Sequence, residues 1–340
     1  MVQANGIDLS LFHFDYDLTF AAFFMNADRT IYGRYGTRSS QQNPGRDISL
    51  QGLIASLEGT LKLHEAYPAG RESLLLKNGR KSRYPSPERY PSLRKFSANI
   101  DYPGQVARSC IHCHQIPTAE YQIYRSSGHS IPDAKLFAWP VPGLIGLQLS
   151  PGHRATVKNV RQSSPAHRGG LRAGDEIVTL AGQPILSTAD IQWVLHNAGP
   201  HAHLKAIVRR GDKKVSLTLE LVEGWRSKAD ISWRGSSWDL CRIVLGGMRL
   251  KAVPRTERRE KDLPGMALLV THLGQSGDHR AAKNSGLRKG DIVTGFDGRD
   301  DLLTESAVFA HGMQNTKSGE RVTVKILRGE HPLEFKLPMK

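Results

Sequence analysis

The sequence predicts a multidomain α+β protein, and three observations carry that expectation. Its 340 residues exceed the usual span of a single core. The second half contains an internal repeat, in which β-type alternating runs flank one helical segment per copy. Hydrophobic residues at 39% and charged residues at 23% suit folded domains, and no stretch approaches the ~20 apolar residues of a membrane span.

Residues 1–67 read as an apolar strand at 19–25, a turn at Asn26-Ala27-Asp28-Arg29, a second strand at 30–35 and a helix at 50–63. Residues 68–138 begin with Pro68, Pro85, Pro87, Pro91 and Pro103 among many basic residues, so 68–109 reads as an extended or irregular connection. It leads into Cys110-Ile111-His112-Cys113-His114. A net charge of +15 favours acidic partners. The densest basic stretches, 71–94 and 249–261, are each broken by Pro or Glu and read as solvated faces, so no nucleic-acid partner is expected.

The remaining parts, 139–225 and 226–340, are the two copies of the repeat. Gly170-Leu171-Arg172-Ala173-Gly174-Asp175 matches Gly286-Leu287-Arg288-Lys289-Gly290-Asp291, and alternating runs at 204–210 and 322–328 each end in Arg-Gly. Between them, 188–197 and 304–314 carry apolar residues at helical spacing, such as Ile191, Val194 and Leu195. Ile177, Leu180 and Ile207 are expected on buried strand faces.

A small half-open β-barrel with these motifs resembles the bacterial PDZ domain of the HtrA/Deg type, here present twice. The resemblance implies capture of protein C-termini or extended peptides on a strand edge beside a loop of backbone N–H groups. Ile145-Gly146-Leu147 matches the family's apolar-Gly-apolar loop, Gly146 allowing close backbone approach and Leu147 lining the first side-chain pocket. Gly146→Val is accordingly expected to weaken binding and to spare folding. The second copy departs from the pattern at Leu245-Gly246-Gly247-Met248. Gly274-Gln275-Ser276-Gly277-Asp278 looks superficially like a serine nucleophile motif, but it falls where a PDZ domain has a surface loop. The N-terminal region is too short for the double barrel of the protease domain, so that domain is expected to be absent and the chain not to be a serine protease.

Three cysteines cannot make a disulfide framework. Cys241 reads as a small buried hydrophobe. The Cys110–His114 segment resembles the Cys-x-x-Cys-His motif of c-type cytochromes. That resemblance implies haem c bonded through Cys110 and Cys113, with His114 as proximal ligand of the iron. The sixth ligand stays open among His129, His64 and Met25, or is absent. The same residues also suit a thiol-redox pair, half of a zinc site completed by Cys241 or a histidine, or an inert pair.

The β-β-α unit looks like the last portion of a thioredoxin fold, without the redox dithiol of that family. The whole order of parts resembles a bacterial group of thioredoxin-like, PDZ-containing proteins. It implies a non-proteolytic PDZ adaptor carrying one haem c, transferring electrons or sensing redox state on an unnamed redox partner. The alternative is a peptide-binding scaffold whose cysteine pair is structural or thiol-redox, without haem. Haem attachment implies a periplasmic location, and since residues 1–11 carry no signal-peptide features, a start upstream of Met1. Without haem the expected location is cytoplasmic.

Overall fold

The computed structural model describes residues 3–40, 44–263 and 265–340. The chain forms two compact units, one of residues 1–116 with 137–229, the other of 117–136 with 230–340. The N-terminal segments therefore do not stand apart from the first repeat. Leu186 of that repeat packs in one cluster with Phe24, Tyr32, Tyr35 and Leu74.

In the first unit, β1 (Ala22–Met25) and β2 (Ile31–Tyr35) pair as an antiparallel hairpin. Its turn is held by Asn26, whose Oδ1 accepts the Thr30 N–H at 2.9 Å. Helix α1 (Leu50–Glu65) starts at Ser49, whose hydroxyl accepts the Gly52 N–H. Its buried face is the small stripe Gly52, Ser56 and Gly59, because a Cβ at Gly52 would collide with the Pro151 carbonyl and one at Gly59 would crowd Leu186 and Arg154. The larger Leu50, Ile54, Leu57 and Leu61 are exposed instead. Close backbone approach, not apolar periodicity, chooses the inner face here.

Short helices α2 (Arg71–Leu75) and α3 (Val106–Ser109) punctuate the Pro-rich stretch, followed by α4 (Gln115–Ser127) and α5 (Asp133–Leu136). Lys77 departs from the solvated-face reading of this basic stretch: it is fully buried and pairs with Asp190 at 2.7 Å. A cation without solvent needs such a partner.

The first repeat holds β3 (Leu147–Leu149), β4 (Val157–Val160), α6 (Pro165–Arg168), β5 (Glu176–Leu180), β6 (Gln183–Pro184), α7 (Thr188–Asn197), β7 (Ala202–Arg210) and β8 (Lys213–Leu221). Strands β3 and β4 pair with each other, and the larger sheet runs β6-β5-β7-β8. Ile177 and Leu180 are in the core, whereas Ile207 is 39% exposed. On β7 the inward residues are Leu204, Ala206 and Val208, so the two-residue period places Ile207 on the opposite face.

The second unit contains α8 (Ser237–Leu245), β9 (Met248–Ala252), α9 (Arg255–Glu260), β10 (Leu268–Leu273), α10 (Ala281–Asn284), β11 (Ile292–Phe296), α11 (Glu305–Asn315), β12 (Arg321–Arg328) and β13 (His331–Pro338). Its sheet runs β13-β12-β11-β10-β9.

The matched sequence motifs have one structural job in both copies. Asp175 accepts the Arg172 N–H at 2.9 Å and is gripped by Arg210 through two hydrogen bonds of 2.7 and 2.9 Å, while the same guanidinium reaches the Gly170 carbonyl. Asp291 repeats this with the Arg288 N–H, with Arg328 at 2.8 and 2.9 Å, and with the Gly286 carbonyl. A buried carboxylate satisfied by a bidentate arginine ties the Gly-Asp turn to the hairpin strand.

Candidate functional site: the cleft beside β3

The apolar-Gly-apolar loop lies at the mouth of a cleft of about 210 Å³. Pro142–Ile145 make one 3₁₀ turn, Gly146 ends it in the left-handed region at φ +82°, and β3 begins at Leu147. The Gly146 carbonyl accepts the Arg161 N–H and the Ser150 N–H goes to the Thr156 carbonyl, both 2.8 Å. Residues 146, 148 and 150 therefore face β4, and the main-chain groups of Leu147 and Leu149 face the opposite edge. Among the described residues that edge of β3 pairs with no strand.

Three further groups shape the cleft. Thr188, the first residue of α7, lines it across from β3. Arg161, exposed at the loop end, lines it too and donates from its guanidinium to the Leu144 carbonyl at 3.3 Å. The N-terminal segment contributes Thr37, Ser39 and Asp47; the Thr37 hydroxyl bonds to the Gln192 side chain of α7, and Asp47 accepts the Ser39 N–H at 2.8 Å. Arg161, Thr188 and this third wall were absent from the sequence expectations. Thr188 and Arg161 could have been found by aligning the two repeats from the loop outward, whereas the N-terminal wall had no sequence signal.

Of the expected residues, Gly146 and Leu147 line the cleft, while Ile145 is buried in the core at 1% exposure. The role of Gly146 is also more structural than expected. Its own N–H is donated to the Gly143 carbonyl at 3.1 Å, and a Cβ there would collide with the Ser164 side chain. Gly146→Val must then distort the loop as well as the groove, so its effect on binding cannot be separated from folding.

The cysteine motif lies elsewhere in the first unit. The Ile111 N–H donates to the Asn5 side chain, and the Ile111 carbonyl accepts the Ala4 N–H, both at 2.8 Å, so the segment pins Ala4 and Asn5. Cys110 and Cys113 are free thiols enclosed by protein, at 4% and 5% exposure. Burial raises the pKa of Cys113, opposite to what an activated thiolate requires. His114 is exposed, its ring stacked 5.7 Å from His112. Desolvation and then His112 lower its pKa. A macrocycle bonded to both thiols needs open space in front of them, which this packing does not provide.

Of the candidate sixth ligands, the His64 Nδ1 is 2.7 Å from the Tyr32 hydroxyl. Cys241 is fully buried on α8, where burial pushes its thiol up to about 12. Among the described residues no three His, Cys, Asp or Glu side chains converge to hold a metal ion. Ser276 of the superficial serine motif precedes a 3₁₀ turn, and its neighbour Asp278 pairs with Lys340 at 3.0 Å and Arg242 at 3.6 Å, not with an imidazole.

Comparison with known proteins bears on the same cleft. Residues 143–221 match the PDZ domain family model. The chain is 28% identical over 191 residues to a probable periplasmic serine endoprotease DegP-like of Marinomonas sp. (strain MWYL1), covering 56% of this chain and 37% of that protein. It is 29% identical over 178 residues to the DegP-like protein of Ectopseudomonas mendocina (strain ymp), covering 51% and 35%. The chain thus spans little more than a third of the length of these relatives. Among solved structures, the HtrA3 PDZ domain bound to a phage-derived ligand is 26% identical with a TM-score of 0.19, covering 22% of this chain and 81% of that chain. Among the described residues no helix is long and apolar enough to cross a membrane. The chain therefore contains a PDZ domain at residues 143–221 and has HtrA/DegP proteins among its relatives.

Proposed function

We propose that the chain is a peptide-binding PDZ scaffold that captures the C-terminus of an extended partner along β3. The observation that carries this reading is the unpaired edge of β3 opening onto the cleft at the Gly146 loop. An incoming strand pairs with the outward groups of Leu147 and Leu149, while its terminal carboxylate sits toward the loop, where Arg161 supplies positive charge. The periplasmic description of the DegP-like relatives supports the same compartment for this chain. In this reading Cys110 and Cys113 are a structural pair flanking Ile111, which holds Ala4 and Asn5.

The test titrates the full chain with peptides selected from a displayed library of free C-termini. C-terminal amidation should weaken a selected peptide at least tenfold, and Arg161→Glu should do the same with an unchanged melting curve. Equal affinity for free and amidated forms would overturn carboxylate capture. Expression with cytochrome c maturation machinery should give colourless protein. A Soret band carried covalently, and lost in Cys110→Ala and Cys113→Ala, would return the motif to haem.

A further inference from the structure

In the second repeat the place for an incoming strand is already filled. Among the described residues, strand β9 is the edge of its sheet and pairs with β10 alone. Leu250 lies opposite Val270, whose N–H turns away from β9 to the Asp291 carbonyl at 2.8 Å. In an antiparallel ladder both residues of such a pair face outward, so the Leu250 N–H points to the free edge of β9. There Glu305 receives it: Oε1 accepts the Leu250 N–H at 2.6 Å, and Oε2 pairs with Arg249 at 3.1 Å. Glu305 is 5% exposed.

The two repeats can be aligned residue by residue at this point. The Gly146 carbonyl accepts the Arg161 N–H, and the Gly247 carbonyl accepts the Gly274 N–H, each where the loop joins its strand. Counting on, Leu149 corresponds to Leu250 and Gln148 to Arg249. Thr188 and Glu305 are each the first residue of the helix facing that strand. Thr188 leaves the first cleft open. Glu305 is long enough to cross to the strand, and its oxygen satisfies a donor that an added strand would need.

We propose that Glu305 is a built-in occupant of the second repeat's groove, its carboxylate standing where the main-chain carbonyl of a bound peptide would stand, so that this groove is shut to C-terminal peptides. Its selectivity consequence, capture through the first repeat alone, rests on the function proposed above; the closure itself does not. A peptide entering the second groove must first displace the carboxyl group from Leu250 and Arg249, leaving buried polar groups without their partners.

Hydrogen exchange on the full chain tests this, using a degenerate mixture of decapeptides with free C-termini as probe. Without peptide, the Leu250 amide should exchange slowly in the wild type and at least tenfold faster in Glu305→Thr, which imports the first repeat's residue. Glu305→Gln, whose amide oxygen can still accept, should retain protection. With the mixture, residues 147–149 should gain protection in every form, and 248–252 only in Glu305→Thr. Protection of 248–252 by peptide in the wild type, an arm needing no variant, would overturn the closure, as would an unchanged Leu250 amide in Glu305→Thr. Response at 248–252 in Glu305→Thr with none at 147–149 would sustain the closure and reject the first cleft.

Discussion

The two repeats use one lock and keep different grooves. Asp175 with Arg210 and Asp291 with Arg328 make the same bonds within a tenth or two of an ångström, which is why Gly-Leu-Arg-x-Gly-Asp and Arg-Gly recur together. The groove edges diverge. The first has Gln148 and Thr188 around a cleft, the second Arg249 and Glu305 closed over Leu250. The repeated motif identifies the scaffold. Binding capacity is decided by positions that the motif does not contain.

The helices differ on their outer faces as well. Asp190 of α7 is fully buried, accepting the Arg34 N–H at 3.2 Å, the Leu186 N–H at 3.0 Å and the Lys77 ammonium at 2.7 Å. The Arg34 guanidinium lies 4.0 Å from the Trp193 ring centre and donates to the Lys77 carbonyl at 2.7 Å. Burial lowers the pKa of both cations, Arg34 to about 10, while Asp190 opposes the shift. Helix α11 has Ala307 at the corresponding place. The sharpest way to separate the copies is therefore to remove this carboxylate. Asp190→Ala leaves two buried cations without an anion and should destabilise the first unit by about 3–5 kcal/mol. Lys77→Met leaves one charge of each sign and should cost far less. Urea unfolding followed by tryptophan fluorescence measures both. Similar losses for the two variants would show that packing, not charge balance, holds the N-terminal segments to α7.

Legibility in the sequence followed the range of the interactions. The repeat, its strands and the start of α1 at Leu50 could be read because they rest on local periodicity. Ile207 was misplaced because a run of β-type residues gives the period of a strand without its phase. The inward stripe Gly52, Ser56 and Gly59 was not legible, and Lys77 fell in a stretch read as a solvated face, because both obtain their role from contacts more than 90 residues away. The cysteine spacing was legible but ambiguous: five residues specify a motif, and only the surroundings of Cys110 and Cys113 bear on which chemistry it can perform.

A smaller effect distinguishes the grooves by pH. Burial pushes Glu305 up to about 7, with nearby Asp230 adding to the rise and the Leu250 N–H and Arg249 opposing it; the buried thiol of Cys241 on α8 also faces it. The unfolded chain should return this carboxyl to its ordinary value of 4.5. Between those two values the folded state holds the proton more tightly than the unfolded state. The contribution is thus fully present below about 4.5 and is lost as pH rises through about 7. Glu305→Gln cannot titrate, so the wild-type-minus-variant stability should fall by up to about 3 kcal/mol across that window and be flat beyond it. The first repeat, with Thr188 at this position, should give no such slope in Thr188→Val. Denaturant unfolding at half-unit pH steps, referenced to each variant, isolates the difference from the lowered histidines His114 and His279, whose shifts run the other way. A flat difference for Glu305→Gln would mean that the carboxylate remains ionised in its contact with Arg249 throughout, and the second groove would then be held shut by a permanent ion pair.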